Sequence, residues 1–286
     1  MICDTLCFMV DSVTWKIGGE AGFGIMSSGI MLARALARAG YYVFSTNEYP
    51  SLIRGGHNLV TVRIATQEFF AMNKDVDMLV ALNKETVELH KEELSDGTIV
   101  VFDPKDHPWQ ASDFSKHIVL VSVPMRDMVI AKNADPVMRN TVALGATMAL
   151  LGKPLEMFST VIRDQFKRKG DEMVNLNISI AQLGFDAVKE KALGLQPMAL
   201  GEGKENGRKL IINGNEAVGV GAVRAGMKFA AIYPMTPINS LITFLADHAK
   251  KLNLVYKQPE DEIAGINMAI GASVAGVRSM VATSGG

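Results

Sequence analysis

Two clusters in the last third of the chain carry residues that could do chemistry. In Tyr233-Pro234-Met235-Thr236-Pro237 a threonine hydroxyl stands between two prolines. Each proline fixes its own φ, so the hydroxyl is offered from a stiff backbone. Further on, Pro259-Glu260-Asp261-Glu262-Ile263-Ala264-Gly265 places three carboxylates at the start of an apolar helix. Acids at a helix N-terminus complement the macrodipole and cap free N–H groups, which accounts for one or two of the three. Capping does not account for the small face that follows, Ala264, Gly265, Ala269, Gly271 and Ala272. Small residues there allow close approach by another element or by a flat ring. Thr283, Ser284 and Gly285 add two hydroxyls and a bare backbone position.

A second region of interest lies near the N-terminus. Glycines at 19, 22 and 24 give G-x-x-G-x-G, the reverse of the dinucleotide fingerprint G-x-G-x-x-G. The strand–turn–helix context still suits an anion at the helix N-terminus, and Glu48 lies where a ribose-binding acid would be expected. A tight packing turn is the alternative. In Ser51-Leu52-Ile53-Arg54-Gly55-Gly56-His57 the Arg54 guanidinium could meet a carboxylate or phosphate, or simply pair with a neighbouring acid. His57 reads as structural, and His90, His107, His117 and His248 as ordinary surface or loop residues. Cys3 and Cys7, spaced C-x-x-x-C with no second pair, read as two reduced thiols rather than a metal or cluster site.

These groups need scaffolding, and the hydrophobic pattern supplies it. The 286 residues are 48% hydrophobic and 21% charged, enough for sizeable cores and for one large or two ordinary domains. A net charge of −1 argues against nucleic-acid or polybasic membrane binding. No apolar run reaches membrane-spanning length, and the leader lacks a basic signal-peptide region, so a cytoplasmic protein is expected. Strands are expected at 13–17, 41–45, 59–64, 78–82, 98–102 and 118–123, with helices at 25–39, 141–151, 155–166 and 173–191. The opening reads as a βαβ unit, and the alternation as a mostly parallel α/β sheet. Residues 194–208, polar and breaker-rich, read as an interdomain linker. Alternation then resumes, with strands at 209–212, 229–233, 254–257 and 277–282 and helices at 215–225, 238–252 and 261–275. In this second half the Thr236 turn lies at the C-terminal end of a strand, where open α/β sheets place ligands.

The chain resembles the α subunits of 2-oxoacid:ferredoxin oxidoreductases that carry a γ-type domain at their N-terminus. Trp15 to Gly24 and Arg54-Gly55-Gly56 resemble the γ-type signatures. Tyr233 to Pro237 resembles the family's Y-P-[IM]-T-P turn, and Glu260 to Ala264 with Asn267 to Ala272 its cofactor-facing helix. Thr283-Ser284-Gly285 resembles the start of its T-S-G-P-G loop. The resemblance implies a leader at 1–13, a Rossmann-like γ-type domain at 14–193, and from 209 to 286 the first part of a thiamin diphosphate-fold pyrimidine-binding domain.

It further implies oxidative decarboxylation of a 2-oxoacid, of the 2-oxoglutarate or pyruvate type, to an acyl-CoA, with electrons passing to ferredoxin. Thiamin diphosphate would lie between this chain and a β subunit that holds the diphosphate, Mg²⁺ and a [4Fe–4S] cluster. Glu262 would hydrogen-bond the aminopyrimidine N1′, favouring the imino form that takes the C2 proton. Thr236 would bind the substrate's carboxylate or carbonyl, while Tyr233, Pro234, Thr283, Ser284 and Gly285 would line the cofactor pocket. Arg54 and the turn from Gly18 to Gly24 would receive substrate or coenzyme A.

One departure stands out. Gly286 occupies the place of the loop's proline. The resemblance therefore implies a truncated or fragmentary α subunit, inactive alone, with an uncovered sheet edge. The other expectations are a non-catalytic docking module built on the γ-type domain, and a nucleotide-binding oxidoreductase domain built on the first glycine turn.

Overall fold

The computed structural model describes residues 9–48, 50, 55–191, 198–204 and 209–285, arranged as two compact units, Met1–Ile211 and Ile212–Gly286. Arg54, Cys3 and Cys7 lie outside the described residues.

The first unit begins with β1 (Met9–Val10) and β2 (Ser12–Glu20), then α1 (Ile25–Arg38), β3 (Tyr42–Glu48), β4 (His57–Ala65), β5 (Val76–Ala81), α2 (Lys84–His90), β6 (Leu94–Phe102) and β7 (Val119–Ser122). The helices α3 (Met125–Ala131), α4 (Arg139–Leu150), α5 (Leu155–Phe166) and α6 (Asp171–Lys191) follow, and then β8 (Ala199–Leu200). Six strands form one sheet in the order β3-β4-β2-β5-β6-β7.

The βαβ reading of the opening is corrected here. β4 inserts between β2 and β3 and runs antiparallel to both, while β2, β5, β6 and β7 are mutually parallel. Nothing in the local pattern of β4 reveals which neighbours it separates, because pairing is a long-range choice. The short helices α2 and α3, one at the end of β5 and one at the end of β7, also escaped the periodicity. Seven residues are too few to show a 3.6-residue repeat.

The parallel strands are apolar on both faces, as a sheet covered on both sides requires. One face carries α1, α4, α5 and α6 over a core that includes Trp15, Leu36, Tyr41, Val62 and Phe158. The other covers Leu79, Val87, Val100 and Phe102. α4 and α6 cross so closely that Gly145 has no room for a Cβ, which would overlap the Ala181 carbonyl; Gly184 meets the Val142 carbonyl in the same way. Trp15 Nε1 donates to Thr147 Oγ1 at 3.1 Å, satisfying the one polar atom of a fully buried indole.

The segments read as leader and linker meet. Met9 pairs with Ala199 and Val10 with Leu200 in a two-stranded parallel ladder. Lys209 N donates to the Ala37 carbonyl at 3.1 Å, so the stretch expected as a strand at 209–212 follows the end of α1 and joins no sheet.

The second unit contains α7 (Gly214–Arg224), β9 (Phe229–Ile232), α8 (Asn239–Leu252), β10 (Val255–Lys257), α9 (Glu262–Val274) and β11 (Ser279–Ala282). Its parallel sheet runs β10-β9-β11. Met227, Ala230, Ile232, Leu241, Leu245 and Leu254 form its core. α7 opens on a capping box, in which Asn213 Oδ1 accepts from Glu216 N at 2.8 Å and Glu216 accepts from Asn213 N at 2.8 Å.

Candidate functional site

Three segments of the second unit converge at the C-terminal ends of β9 and β11. The first follows β9: Tyr233 is half-buried, Pro234 to Pro237 are exposed, and the Thr236–Pro237 peptide is cis. The second follows β11. Ser284 Oγ lies 2.6 Å from the Met235 carbonyl and 2.9 Å from the Thr236 carbonyl, so one hydroxyl ties the two loops together. Thr283 Oγ1 accepts from Gly285 N at 3.3 Å and keeps the second loop tight. The third is the N-terminus of α9.

The three acids at that terminus divide their work. Asp261 is the N-cap, its side chain accepting from Ala264 N at 2.7 Å. Glu260 lies outside the helix. Glu262, the first helical residue, is half-buried and has no capping role. Its carboxylate is aimed at the second loop: a Cβ built on Gly285 would stand 3.4 Å from Glu262 Oε1 and would overlap Met235 Sδ. Any side chain at 285 would therefore take the space beside the carboxylate.

The small face of α9 is explained in part by packing within the unit. Gly265 is buried, its absent Cβ facing Pro259 Cγ at 3.2 Å and Val281 Cγ2 at 3.4 Å, and Ala269 is buried as well. Gly271 faces open space. The same helix exposes Ile263, Ile266, Ile270 and Val274, spaced three and four residues apart on one face.

Glu262, Thr236, Met235, Thr283, Ser284 and Gly285 are thus brought together. Met235 and Asp261 were not singled out individually by sequence. Asp261 was legible only as one of three acids, and Met235 becomes visible only once the loops are folded against each other.

In the first unit β2 runs on through Gly18, Gly19 and Glu20, so the turn proper of the Gly18–Gly24 segment is confined to residues 21–24, with left-handed backbone at Gly22 (φ 99°) and Gly24 (φ 70°). Its Ala21 N donates to the Gly56 carbonyl at 3.0 Å. His57, one residue further on, has His90 as its neighbour, with 3.3 Å between the two Nε2 atoms. His90 is therefore not an ordinary surface residue: its side chain is 12% exposed and Nδ1 lies 2.9 Å from Glu93 Oε1. Among the described residues no group of three or more His, Cys, Asp or Glu side chains is arranged to hold a metal ion.

Comparison with known proteins decides the family. Residues 14–187 match the family model of pyruvate ferredoxin/flavodoxin oxidoreductase. The chain belongs to this family. Residues 220–286, which contain the three converging segments, match the thiamine diphosphate-binding model of pyruvate flavodoxin/ferredoxin oxidoreductase. The chain is 28% identical over 325 residues to a 2-oxoacid:ferredoxin oxidoreductase subunit alpha from Saccharolobus solfataricus, covering 96% of this chain and 50% of that protein. It superposes on a solved 2-oxoglutarate:ferredoxin oxidoreductase from Magnetococcus marinus with 2-oxoglutarate, coenzyme A and succinyl-CoA bound. The TM-score is 0.87 at 30% identity, covering 96% of this chain and 48% of that one. A pyruvate oxidoreductase subunit from Thermotoga maritima shares the fold, with a TM-score of 0.52 at 23% identity over 62% of this chain and 97% of that one. The chain spans about half the length of the curated relatives it matches.

Proposed function

We propose that this chain contributes the pyrimidine-side half of a thiamin diphosphate site in a 2-oxoacid:ferredoxin oxidoreductase. The observation that carries the reading is the convergence of Glu262, the Met235–Thr236 turn and the Thr283–Gly285 loop within a unit whose residues match a thiamine diphosphate-binding family. The residues fit such a group. Gly285 leaves room beside the Glu262 carboxylate, and the edges of the site are exposed.

When bound, thiamin diphosphate supplies the electron sink that lets a 2-oxoacid lose CO2. Glu262 holds the hydrogen bond at the pyrimidine ring nitrogen and stabilises a proton there, with Asp261 capping α9 so that Glu262 need not. Thr236 offers its hydroxyl to the carboxylate or carbonyl of the substrate. Ser284 fixes the turn that presents Thr236. Tyr233, Pro234, Thr283 and Gly285 line the pocket. In the first unit, the γ-type domain, Arg54 and the Gly18–Gly24 turn receive the anionic parts of substrate or coenzyme A.

The rest of the machinery comes from other polypeptides. A β-type subunit holds the diphosphate and Mg²⁺, and it also carries the [4Fe–4S] cluster, for which the two cysteines of this chain provide too few ligands. The apolar stripe Ile263, Ile266, Ile270 and Val274 gives such a subunit a face to cover. The products are an acyl-CoA, CO2 and reduced ferredoxin, formed in the cytoplasm. No helix among the described residues is long and apolar enough to cross a membrane.

The test is to assemble the full-length form of this α-type subunit with its β-type subunit, thiamin diphosphate, Mg²⁺ and coenzyme A, and to follow viologen reduction by 2-oxoglutarate and by pyruvate. Turnover that depends on the 2-oxoacid and disappears in Glu262→Gln supports the reading. Full turnover in Glu262→Gln removes Glu262 from its role, and absence of turnover with the wild-type residue leaves a docking module.

A further inference from the structure

The first unit contains a four-residue polar chain that the proposed reaction does not use. Lys16 on β2 is 7% exposed and pairs with Glu93 Oε2. The other oxygen of Glu93, Oε1, lies 2.9 Å from His90 Nδ1. His90 Nε2 faces His57 Nε2 at 3.3 Å. His57 Nδ1 ends the chain, buried and with no partner among the described residues.

The protons of this chain can be assigned from its partners. A carboxylate only accepts, so His90 Nδ1 carries the hydrogen it donates to Glu93, and His90 Nε2 is left as a lone pair. His57 Nε2 must then donate into that lone pair, and His57 Nδ1 is a bare acceptor. One more proton has nowhere favourable to go. On His57 Nδ1 it makes a buried N–H with no acceptor. On His90 Nε2 it sets two N–H groups against each other, unless His57 moves its own hydrogen to Nδ1, with the same result. An unsatisfied buried donor costs roughly 1–3 kcal/mol, so the contact yields first.

His57 is also wired to the glycine-rich turn. It follows Gly55 (φ 74°) and Gly56 (φ 90°), and the Gly56 carbonyl receives Ala21 N at 3.0 Å. On β2 it pairs in register with Glu20, and a Cβ built on Gly18 would stand 3.0 Å from His57 Cε1. The ring therefore lies against the strand end from which the turn springs.

We propose that His57 and His90 form a proton-operated latch on the Gly18–Gly24 turn, closed while the pair is neutral and opened by uptake of one proton. The groups that face His57 set the threshold. Burial and His90 oppose protonation, while Glu85 on α2 and Glu48 on β3 favour it, with the balance holding the ring below its ordinary value of 6.5. Beyond His90, burial pushes the Glu93 carboxyl up, and the hydrogen bonds from Lys16 and His90 outweigh this and hold it low. Glu93 therefore stays ionised as the anchor of the chain.

NMR of the intact chain between pH 7.5 and 5 tests the latch, following the ring protons of both histidines and the amides from Gly18 to Gly24. The expected result is a His57 midpoint below 6.5, with the Ala21 amide losing its hydrogen-bonded shift in step with that ring. In His57→Gln, which retains a hydrogen-bonding side chain without a titratable ring beside the turn, the amide shifts become flat over this range. A His57 ring that titrates while the turn amides stay unmoved overturns the proposal in the wild-type protein alone. An unchanged Ala21 transition in a folded His57→Gln protein overturns it as well.

Discussion

The Ser284 hydroxyl sits 2.6 Å from the Met235 carbonyl and so binds the loop after β11 to the loop after β9. This contact is what makes one site of two strand ends. With the loops tied, Gly285 is pressed against Met235 and brought beside Glu262.

Replacing Glu262 by glutamine keeps the shape of the side chain and removes its capacity to hold a proton. In the assembled enzyme, 2-oxoacid-dependent viologen reduction is expected to fall by roughly 10²–10⁴-fold, the usual worth of general acid–base help. The urea midpoint is expected to be unchanged, because Asp261 makes the cap. A loss smaller than tenfold contradicts the assigned role.

Gly285→Ala drives a methyl group into Met235 and towards the Glu262 carboxylate. Turnover is expected to drop, and Met235→Ala is expected to restore part of it by vacating the space. Residues in contact typically couple by about 0.5–3 kcal/mol in a double-mutant cycle. A cycle on the urea midpoint that closes to zero shows that the two residues do not touch.

Asp261→Ala removes the N-cap of α9, and its cost is expected to be about 1 kcal/mol. Asp261→Asn, which retains an acceptor oxygen, is expected to cost much less. Chemical denaturation read on the transition of the second unit compares them, and equal losses contradict a hydrogen-bonding origin.

Gly145→Ala is expected to be among the most damaging single-methyl additions. The new Cβ meets the Ala181 backbone, which cannot swing aside as a side chain could. Overpacking of this kind costs roughly 1–3 kcal/mol or more. The thermal midpoint of Gly145→Ala should fall well below that of Gly214→Ala, whose Cβ meets nothing within 4 Å.

The stability of the first unit should also respond to pH through His57. Burial first, and His90 second, lower its folded pKa from 6.5, so folding favours the neutral ring. The contribution is complete above 6.5 and is lost as pH falls from 6.5 through the folded value, because the unfolded chain binds the proton first. The urea midpoint is expected to decline between pH 7 and 5, less steeply in His57→Gln than in wild type. Equal slopes contradict the shift.

Much of the candidate site was legible in the order of residues alone. The Tyr233–Pro237 turn, the acids before α9 and the T-S-G run are local patterns, and the small-residue face announced that α9 lies close to something. Most strands and long helices also follow from local alternation or 3.6-residue spacing, because burial on a strand or helix face is a nearest-neighbour property. Which of the three acids caps the helix and which is left free of the cap, that Gly285 meets Met235, that β4 separates β2 from β3, and that His90 finds His57 were decided only by tertiary structure. Each depends on groups distant in the chain meeting in space, where a hydrogen bond of 3 Å or an overlap of one methyl group selects the arrangement, and no local pattern encodes such a meeting.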